Sequence, residues 1–219
     1  MQKTYSHILF DHDGVLVNTE PLYFAATASA AEALGMPLSH QDYLALMARG
    51  ANVWERGRVQ GIPEQHIQDA IARRDRDYQR LLRTNDVTIQ GVPTLLKAFA
   101  QRFTLAIVTT AKDQDFALIH DDQDGHGLGI VEHMSLILTR SDYVNSKPDP
   151  EPYLLALARL GVSPDQALVI EDSERGLRAA IAAGLDCATI YHPFTEGQDF
   201  SAATYRLKSL AALGALLLN

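Results

Sequence analysis

Two aspartates stand one residue apart in the segment ILFDHDGVLVNTE, at the point where an apolar run ends. Asp11 and Asp13 follow residues 8–10, and Gly14 and a second apolar run come next. Like charges this close repel each other unless a cation neutralises them or one carboxylate takes a proton. The pair therefore indicates either a solvated turn or a site that holds a cation and performs nucleophilic or acid–base chemistry.

Polar side chains also follow three later apolar runs of the chain. Thr109 and Thr110 come after the second run, Lys147 follows the third, and Glu171 and Asp172 follow the fourth. Ligands of an open parallel sheet bind outside the carboxyl ends of its strands. If these runs are parallel strands, two acid pairs, hydroxyls and a lysine meet at one sheet edge. An isolated Asp-x-Asp turn or a lone surface lysine does not explain that combination.

The apolar runs favour buried parallel strands, because they lack polar alternation and end in polar or small residues. The predicted strands are 7–10, 105–108, 135–138, 167–170 and, more weakly, 187–190. Helical patterns lie between them, and two of these patterns end at Gly161 and Gly184. Strands that alternate with helices predict an α/β fold with a Rossmann-like parallel sheet core.

Between the first two predicted strands the pattern is helical only. Helical signals cover 23–34, 41–48 and 63–82, whereas an ordinary crossover needs only about a dozen residues. We therefore predict an inserted all-helical cap domain at 18–87, and a Rossmann-like catalytic core formed by 1–17 and 88–219. Several arginines of the last helical segment alternate with aspartates, which is typical of a solvated helix face. They are Arg73, Arg74, Arg76, Arg80 and Arg83.

The composition of the chain excludes some classes of partner and indicates the cellular compartment. The 219 residues carry a net charge of −8 with a pI of about 5.4, and no basic stripe is evident, which argues against nucleic acid or an anionic membrane as partner. The single cysteine, Cys187, excludes an intrachain disulfide and fits a small buried residue. Neither a signal peptide nor an apolar stretch of ~18 residues is present, so we expect a cytoplasmic protein. Residues 121–129 are polar and glycine-rich, which predicts a surface loop.

Four segments in this order, DHDGV, IVTTAK, KPDPE and VIEDS, resemble the four motifs of the haloacid dehalogenase-like hydrolases. The resemblance covers essentially the whole chain. It is closest to the branch whose helical cap follows the first motif, which includes phosphoglycolate phosphatase-like enzymes and beta-phosphoglucomutase. It implies a Mg²⁺-dependent phosphatase that hydrolyses a small phosphorylated metabolite through an aspartyl-phosphate intermediate.

The resemblance also implies roles for the acidic residues. Asp11 corresponds to the nucleophile, and Asp13 to the group that protonates the leaving oxygen and later deprotonates water. Mg²⁺ would be held by the Asp11 carboxylate, the Asp13 backbone carbonyl and Asp172, since hard oxygen ligands suit this ion. Glu171 is expected to support these ligands rather than to bind the ion directly.

Phosphate-binding roles follow from the same resemblance. Thr109 would hydrogen-bond a phosphoryl oxygen with help from the amide of Thr110, and Lys147 would place a point charge between phosphate and nucleophile. His12 stands between the aspartates where an apolar or aromatic residue is expected. We expect its ring to pack away from the pocket.

Other activities remain open at this point. A phosphomutase needs a cationic group in the cap for a second phosphate, and the mutases carry an arginine where this chain has Val53 and a histidine where it has Tyr23, although Arg49 and Arg56 lie nearby in sequence. A dehalogenase does not need Asp13. A receiver-like phospho-acceptor is shorter and has no helical insertion, and a non-catalytic binding protein is not excluded by the motifs. We therefore favour the phosphatase.

Overall fold

A six-stranded sheet in the order β3-β2-β1-β4-β5-β6 forms the centre of the computed structural model, which describes residues 4–121 and 128–218. All neighbouring strands run parallel. The strands are β1 (His7–Phe10), β2 (Thr104–Val108), β3 (Met134–Leu138), β4 (Ala167–Glu171), β5 (Asp186–Ile190) and β6 (Tyr205–Leu207). The predicted Rossmann-like α/β core is confirmed.

Helices connect these strands and also form the block between β1 and β2. In the described residues they are α1 (Glu20–Glu32), α2 (His40–Ala48), α3 (Val53–Val59), α4 (Glu64–Thr84), α5 (Val92–Phe99), α6 (Asp113–Ile119), α7 (Glu151–Leu160), α8 (Glu174–Ala182) and α9 (Leu210–Leu218). Short 3-10 turns cover Val131–His133, Arg140–Asp142, Pro164–Gln166 and Pro193–Thr195.

The core is divided between the two faces of the sheet. Successive side chains of a strand point to opposite faces, and β1 shows this directly: Ile8 and Phe10 belong to one apolar cluster, whereas Leu9 belongs to the other. All three side chains are fully buried. Because both faces are covered, the strands are apolar along their length, which is why they could be recognised in the sequence.

The helical insertion, α1 to α4, has an apolar cluster of its own, with Met36, Tyr43, Trp54 and Ile67 among its buried members. It connects to the sheet through two chain segments that lie side by side. The amide of Asn18 donates to the carbonyl oxygen of Val87 at 2.8 Å, next to a bridge between Val17 and Thr88. An inserted all-helical cap is therefore present, and its boundaries at 18 and 87 stay a prediction.

Several elements differ from the sequence prediction. Strand β6 and helices α3, α6 and α9 were not predicted. The second, third and fifth strands begin one residue earlier than expected, and the fourth ends one residue later. Cys187 is buried, as predicted. Residues 122–127 of the predicted loop lie outside the described part of the chain. Within 4–121 and 128–218, none of the helices has both the length and the apolar character required to span a bilayer.

Candidate active site

The turn after β1 brings the first acid pair to the carboxyl edge of the sheet. The amide of Asp11 donates to the carbonyl oxygen of Ile170 at 2.8 Å, which ties this turn to β4. Gly14 has a φ of +78°, and a Cβ at this position would overlap the Asp172 carboxylate. The glycine thus allows both the left-handed turn and the close approach of the acids from two strands.

Lys147 lies between the acids of β1 and β4. Its Nζ donates to Asp11 Oδ1 at 2.8 Å, to Glu171 Oε1 at 2.7 Å and to the Val108 carbonyl oxygen at 2.7 Å. Only 4% of the residue is exposed. Burial opposes the charge, but the two carboxylates prevail and raise the pKa of Lys147 above its ordinary value. The ammonium group is therefore a fixed positive charge beside Asp11.

Glu171 is fully buried and holds this lysine in place. Its carboxylate accepts hydrogen bonds from Lys147, from the Tyr153 hydroxyl at 2.7 Å and from the Ser173 hydroxyl at 3.1 Å. Gly176 of α8 faces it so closely that an added Cβ would overlap the carboxylate. Glu171 therefore anchors Lys147. Its supporting role toward the metal ligands stays a prediction.

Three carboxylates at this edge could hold a metal ion. Asp11, Glu171 and Asp172 each offer an oxygen, and these oxygens lie within 4.8 Å of one another. Burial, and then the neighbouring acids, raise the pKa of Asp172 well above its usual range, and the pKa of Asp11 to about 6. Such crowding of buried acids beside a single lysine is typical of a site whose charge balance includes a cation. The donor set, all oxygen, suits Mg²⁺.

Asp13 has a different environment from Asp11. Burial alone would raise its pKa, but hydrogen bonds from His12, Thr19 and Thr109 outweigh that effect and lower it. The Thr19 hydroxyl donates to Asp13 Oδ1, and the Thr109 hydroxyl lies 3.4 Å from Oδ2. Two adjacent carboxylates thus have pKa values shifted in opposite directions, a pattern that is typical of acid–base sites.

His12 is fully buried and does not line the cavity, as the sequence analysis expected. Its Nε2 lies 2.9 Å from His120 Nε2, and its Nδ1 lies 3.4 Å from Asp13 Oδ2. The ring also packs on Phe116, with 4.9 Å between ring centroids. Burial lowers the pKa of His120 to about 3, so the histidine pair packs with His120 neutral.

A cavity of about 960 Å³ lies between the cap and the sheet edge. Asp11, Asp13 and Asp172 line it on the core side. Thr110 also lines this cavity, whereas Thr109 is fully buried and its hydroxyl accepts from the Ala111 amide at 3.0 Å. The structure therefore brings all the residues proposed from sequence to one edge, with Thr109 beneath the surface and Thr110 on it.

The cap contributes an arginine that the sequence analysis placed on a solvated face, and for this residue that interpretation was wrong. Arg74 is only 8% exposed and lines the cavity. Its guanidinium donates to the Tyr23 hydroxyl and, at 2.8 Å, to Asp75 Oδ1, and it lies 4.7 Å from the centre of the Tyr23 ring. Arg73 and Arg80 are exposed, as predicted. Helical periodicity does not show which arginine of such a run faces a ligand cavity.

Two polar contacts join the cap helix α4 to α6 of the core. Lys112 Nζ donates to Asp75 Oδ2 at 2.7 Å, and the Gln79 amide donates to Asp115 at 2.9 Å. Asp75 therefore bridges Arg74 of the cap and Lys112 of the core. These contacts hold the cap over the cavity.

Sequence reasoning missed several residues of the site. Glu20, the first residue of α1, lines the cavity, and burial raises its pKa to about 7. Tyr153 was not identified, because nothing in its spacing on α7 indicates a hydroxyl bonded to Glu171. Thr19 was not identified either, although a hydroxyl side chain directly before a helix is a recognisable capping signal. Here that hydroxyl is directed to Asp13 instead, and it does not cap α1.

Known proteins are similar to this chain in sequence over most of its length. The family described as haloacid dehalogenase-like hydrolase matches residues 8–190. A phosphorylated carbohydrates phosphatase from Thermotoga maritima is 31% identical, with 87% of this chain and 88% of that protein covered. Protein CbbY from Rhodobacter capsulatus is 32% identical, with 94% and 93% covered.

The fold likeness is equally extensive. The crystal structure of CbbY from Rhodobacter sphaeroides in complex with phosphate superposes with a TM-score of 0.78 at 27% identity, over 96% of this chain and 97% of that one. Since the curated relatives of this chain include named phosphatases, the prediction of a phosphoric monoester hydrolase is confirmed. The chain belongs to the haloacid dehalogenase-like hydrolase family.

Proposed function

We propose that the protein is a Mg²⁺-dependent phosphatase that hydrolyses a small phosphorylated sugar through a phosphorylated Asp11. The observation that carries this proposal is the position of Asp11: its carboxylate lines the cavity, is held by Lys147 at 2.8 Å, and lies within 4.8 Å of two further acids. The sugar as substrate class is supported by the relatives, one of which is named a phosphorylated carbohydrates phosphatase.

The proposed reaction has two half-reactions. The free carboxylate oxygen of Asp11 attacks phosphorus, the bond between phosphorus and the sugar oxygen breaks, and Asp13 gives a proton to that oxygen. In the second half, Asp13 takes a proton from a water that attacks phosphorus, and Asp11 is released with inorganic phosphate. The hydrogen bonds that lower the pKa of Asp13 favour its carboxylate form, which the second half needs, whereas the first half needs its protonated form.

The residues present fit a magnesium ion. The Asp11 carboxylate, the Asp13 backbone carbonyl and Asp172 would hold it, and Glu171 would stay with its lysine and tyrosine partners. When bound, the ion offsets negative charge on the phosphoryl oxygens and on the acids around it. Lys147 places a second, permanent positive charge beside the nucleophile. Thr110 supplies a hydroxyl and an amide at the cavity surface for a phosphoryl oxygen.

The cap domain, proposed at residues 18–87, covers this site and excludes bulk water from the first half-reaction. Its contribution to the cavity includes aromatic and cationic side chains, among them Tyr23, Tyr43, Trp54, Arg49 and Arg74. A small metabolite fits the volume of about 960 Å³. We keep the expectation of a cytoplasmic enzyme that acts on neither nucleic acid nor membrane.

A phosphomutase of the beta-phosphoglucomutase type is the second candidate, because Arg49 of the cap lines the cavity. Two residues favour the phosphatase. Val53 stands where a mutase carries its arginine, and Tyr23 stands where it carries a histidine and is bonded to Arg74. Phosphorus NMR of a mixture of beta-glucose 1-phosphate and its bisphosphate separates the two activities. Free phosphate as the faster product supports the phosphatase, and faster formation of glucose 6-phosphate contradicts it.

The central experiment measures Mg²⁺-dependent release of phosphate from a panel of sugar phosphates and an aryl phosphate. We expect Asp11→Asn to reduce kcat by several orders of magnitude, because the covalent step disappears, while the protein stays folded. Asp69→Asn is the matched control, since Asp69 is exposed on α4 and does not line the cavity. Activity of Asp11→Asn near that of the control would refute the nucleophile. Absence of any turnover by the wild-type protein would instead favour a non-catalytic phospho-acceptor or binding protein.

A further inference from the structure

The core side of the cavity carries arginines that the proposed reaction does not use. Arg175 and Arg178 are on α8, and Arg140 lies in the turn after β3; all three line the cavity. Arg175 and Arg178 are three residues apart on a helix, so their side chains lie on the same face. The chain as a whole has a net charge of −8, so its overall composition does not explain why three arginines line this side of the cavity.

Within residues 4–121 and 128–218, none of these three guanidinium groups forms an ion pair with a carboxylate. The arginines that form ion pairs with carboxylates in the described residues are Arg58, Arg73, Arg74, Arg80 and Arg159. Arg140 donates to the carbonyl oxygens of Tyr143 and Val144. Arg175 donates to the Thr110 hydroxyl at 3.4 Å. Glu20 and Glu174 also line the cavity, and in the described part of the chain neither forms an ion pair with these arginines. The charge of Arg175 nevertheless acts on Glu20, since it opposes the rise that burial causes in the pKa of Glu20.

The position of Arg175 relates this cluster to the reacting phosphate. Thr110 is the residue proposed to contact that phosphate, and the Arg175 guanidinium donates to its hydroxyl at 3.4 Å. In the proposed reaction, Lys147 and the metal ion already offset the negative charge of the reacting phosphate. The cavity also extends well beyond one phosphate, to about 960 Å³. A second anionic group on the same substrate would meet Arg175 and Arg178 as a charge-assisted, multidentate site.

We propose that Arg175 and Arg178 determine specificity, by binding a second anionic group of the substrate, a phosphate or a carboxylate. This inference rests on the proposed phosphatase function and names its substrate class: sugar phosphates with a further phosphate or an acid group. Arg140 reinforces the positive potential across the Thr110 turn, and its hydrogen bonds to backbone oxygens keep it in place.

Calorimetry with Asp11→Asn and Mg²⁺ tests the proposal without turnover. The ligands are glucose 6-phosphate, glucose 1,6-bisphosphate and 6-phosphogluconate, which share one phosphate and differ in the second group. Hydrogen bonds to charged groups are strong enough for a preference of about tenfold or more for either ligand that has a second anionic group. A preference for the bisphosphate alone identifies a second phosphate, and a preference for the phosphogluconate alone identifies a carboxylate.

Substitutions in the same background assign the effect to the two arginines. Arg175→Gln with Arg178→Gln should remove the preference and leave the affinity for glucose 6-phosphate within about threefold. Arg83→Gln, an exposed arginine of the cap outside the cavity, should change neither value. Urea unfolding of each variant checks that it is folded.

Several results would overturn the subsite. They are equal affinity for all three ligands, no binding of either ligand that has a second anionic group, or a double variant that weakens the binding of glucose 6-phosphate as much as that of the other two. The last result would place these arginines on the reacting phosphate. Turnover of an aryl phosphate by the wild-type protein tests the proposed phosphatase activity independently of the subsite. Preference without turnover would therefore contradict the enzyme proposal and leave the subsite standing.

Discussion

Gly176→Ala is expected to destabilise the protein, although alanine normally stabilises a helix. Gly176 is inside α8, where replacing glycine by alanine contributes about 1 kcal/mol of helix propensity. Here the new methyl group would overlap all three atoms of the Glu171 carboxyl group. That carboxylate is fully buried and accepts from Lys147, Tyr153 and Ser173, so it cannot move without losing partners.

The size of the effect follows from those hydrogen bonds. Each hydrogen bond to a charged group contributes about 1.5–3 kcal/mol. Displacement of the whole carboxylate breaks at least two, and the helix gain offsets about 1 kcal/mol of that loss. We expect a net decrease of about 2–5 kcal/mol in the free energy of unfolding. Because Lys147 loses its anchor beside Asp11, kcat should also fall, by about a hundredfold for a displacement near 1 Å.

Urea unfolding and steady-state kinetics of the variant provide the assay, with Gly214→Ala as the matched control. Gly214 is also within a helix, α9, but an alanine there meets only the Leu95 Cδ1 methyl, the end of a flexible side chain. The control should stay within about 1 kcal/mol of the wild-type protein. A Gly176→Ala variant as stable and as active as the wild-type protein would refute the role assigned to Glu171.

Three further predictions concern the same site and its surroundings. Tyr153→Phe should lower the free energy of unfolding by about 1.5–3 kcal/mol, since Glu171 loses a donor, and unchanged urea unfolding would contradict this. EDTA should abolish phosphate release, Mg²⁺ should restore it and Ca²⁺ should inhibit; full activity in EDTA would refute the metal site. The pKa of folded His120 is about 3, below its unfolded value, so the unfolded chain binds the extra proton and stability should fall as pH drops below about 6.5. His120→Gln should flatten that dependence, and an unchanged pH profile of thermal unfolding would contradict it.

The sheet was predictable because its strands are buried on both faces. Residues such as Leu9 and Val169 are in one cluster and Ile8 and Ile170 in the other, so the strands appear as uninterrupted apolar runs. Strand β6 was missed because it is a short edge strand with the exposed Arg206 at its centre. Helix α3 was missed because seven residues, VWERGRV, carry too few turns for a clear period.

The catalytic edge was also predictable, since the acids and threonines come directly at the ends of recognisable strands and Lys147 comes in the segment after β3. What could not be predicted were contacts between residues far apart in the chain. The bond from Tyr153 to Glu171 and the partial burial of Arg74 under Tyr23 depend on how helices pack, and local periodicity carries no information about such packing. The same applies to the approach of Arg175 to Thr110, which are 65 residues apart.

Detection of the phosphorylated enzyme tests the central claim most directly. The wild-type protein, mixed with Mg²⁺ and a sugar phosphate that it hydrolyses, is quenched in acid during turnover, and the peptide that contains Asp11 is analysed by mass spectrometry. The account predicts that this peptide gains the mass of one phosphoryl group on Asp11, and that Asp11→Asn shows no such gain. A phosphoryl group on another residue, or an unmodified peptide throughout a turnover limited by dephosphorylation, would contradict it.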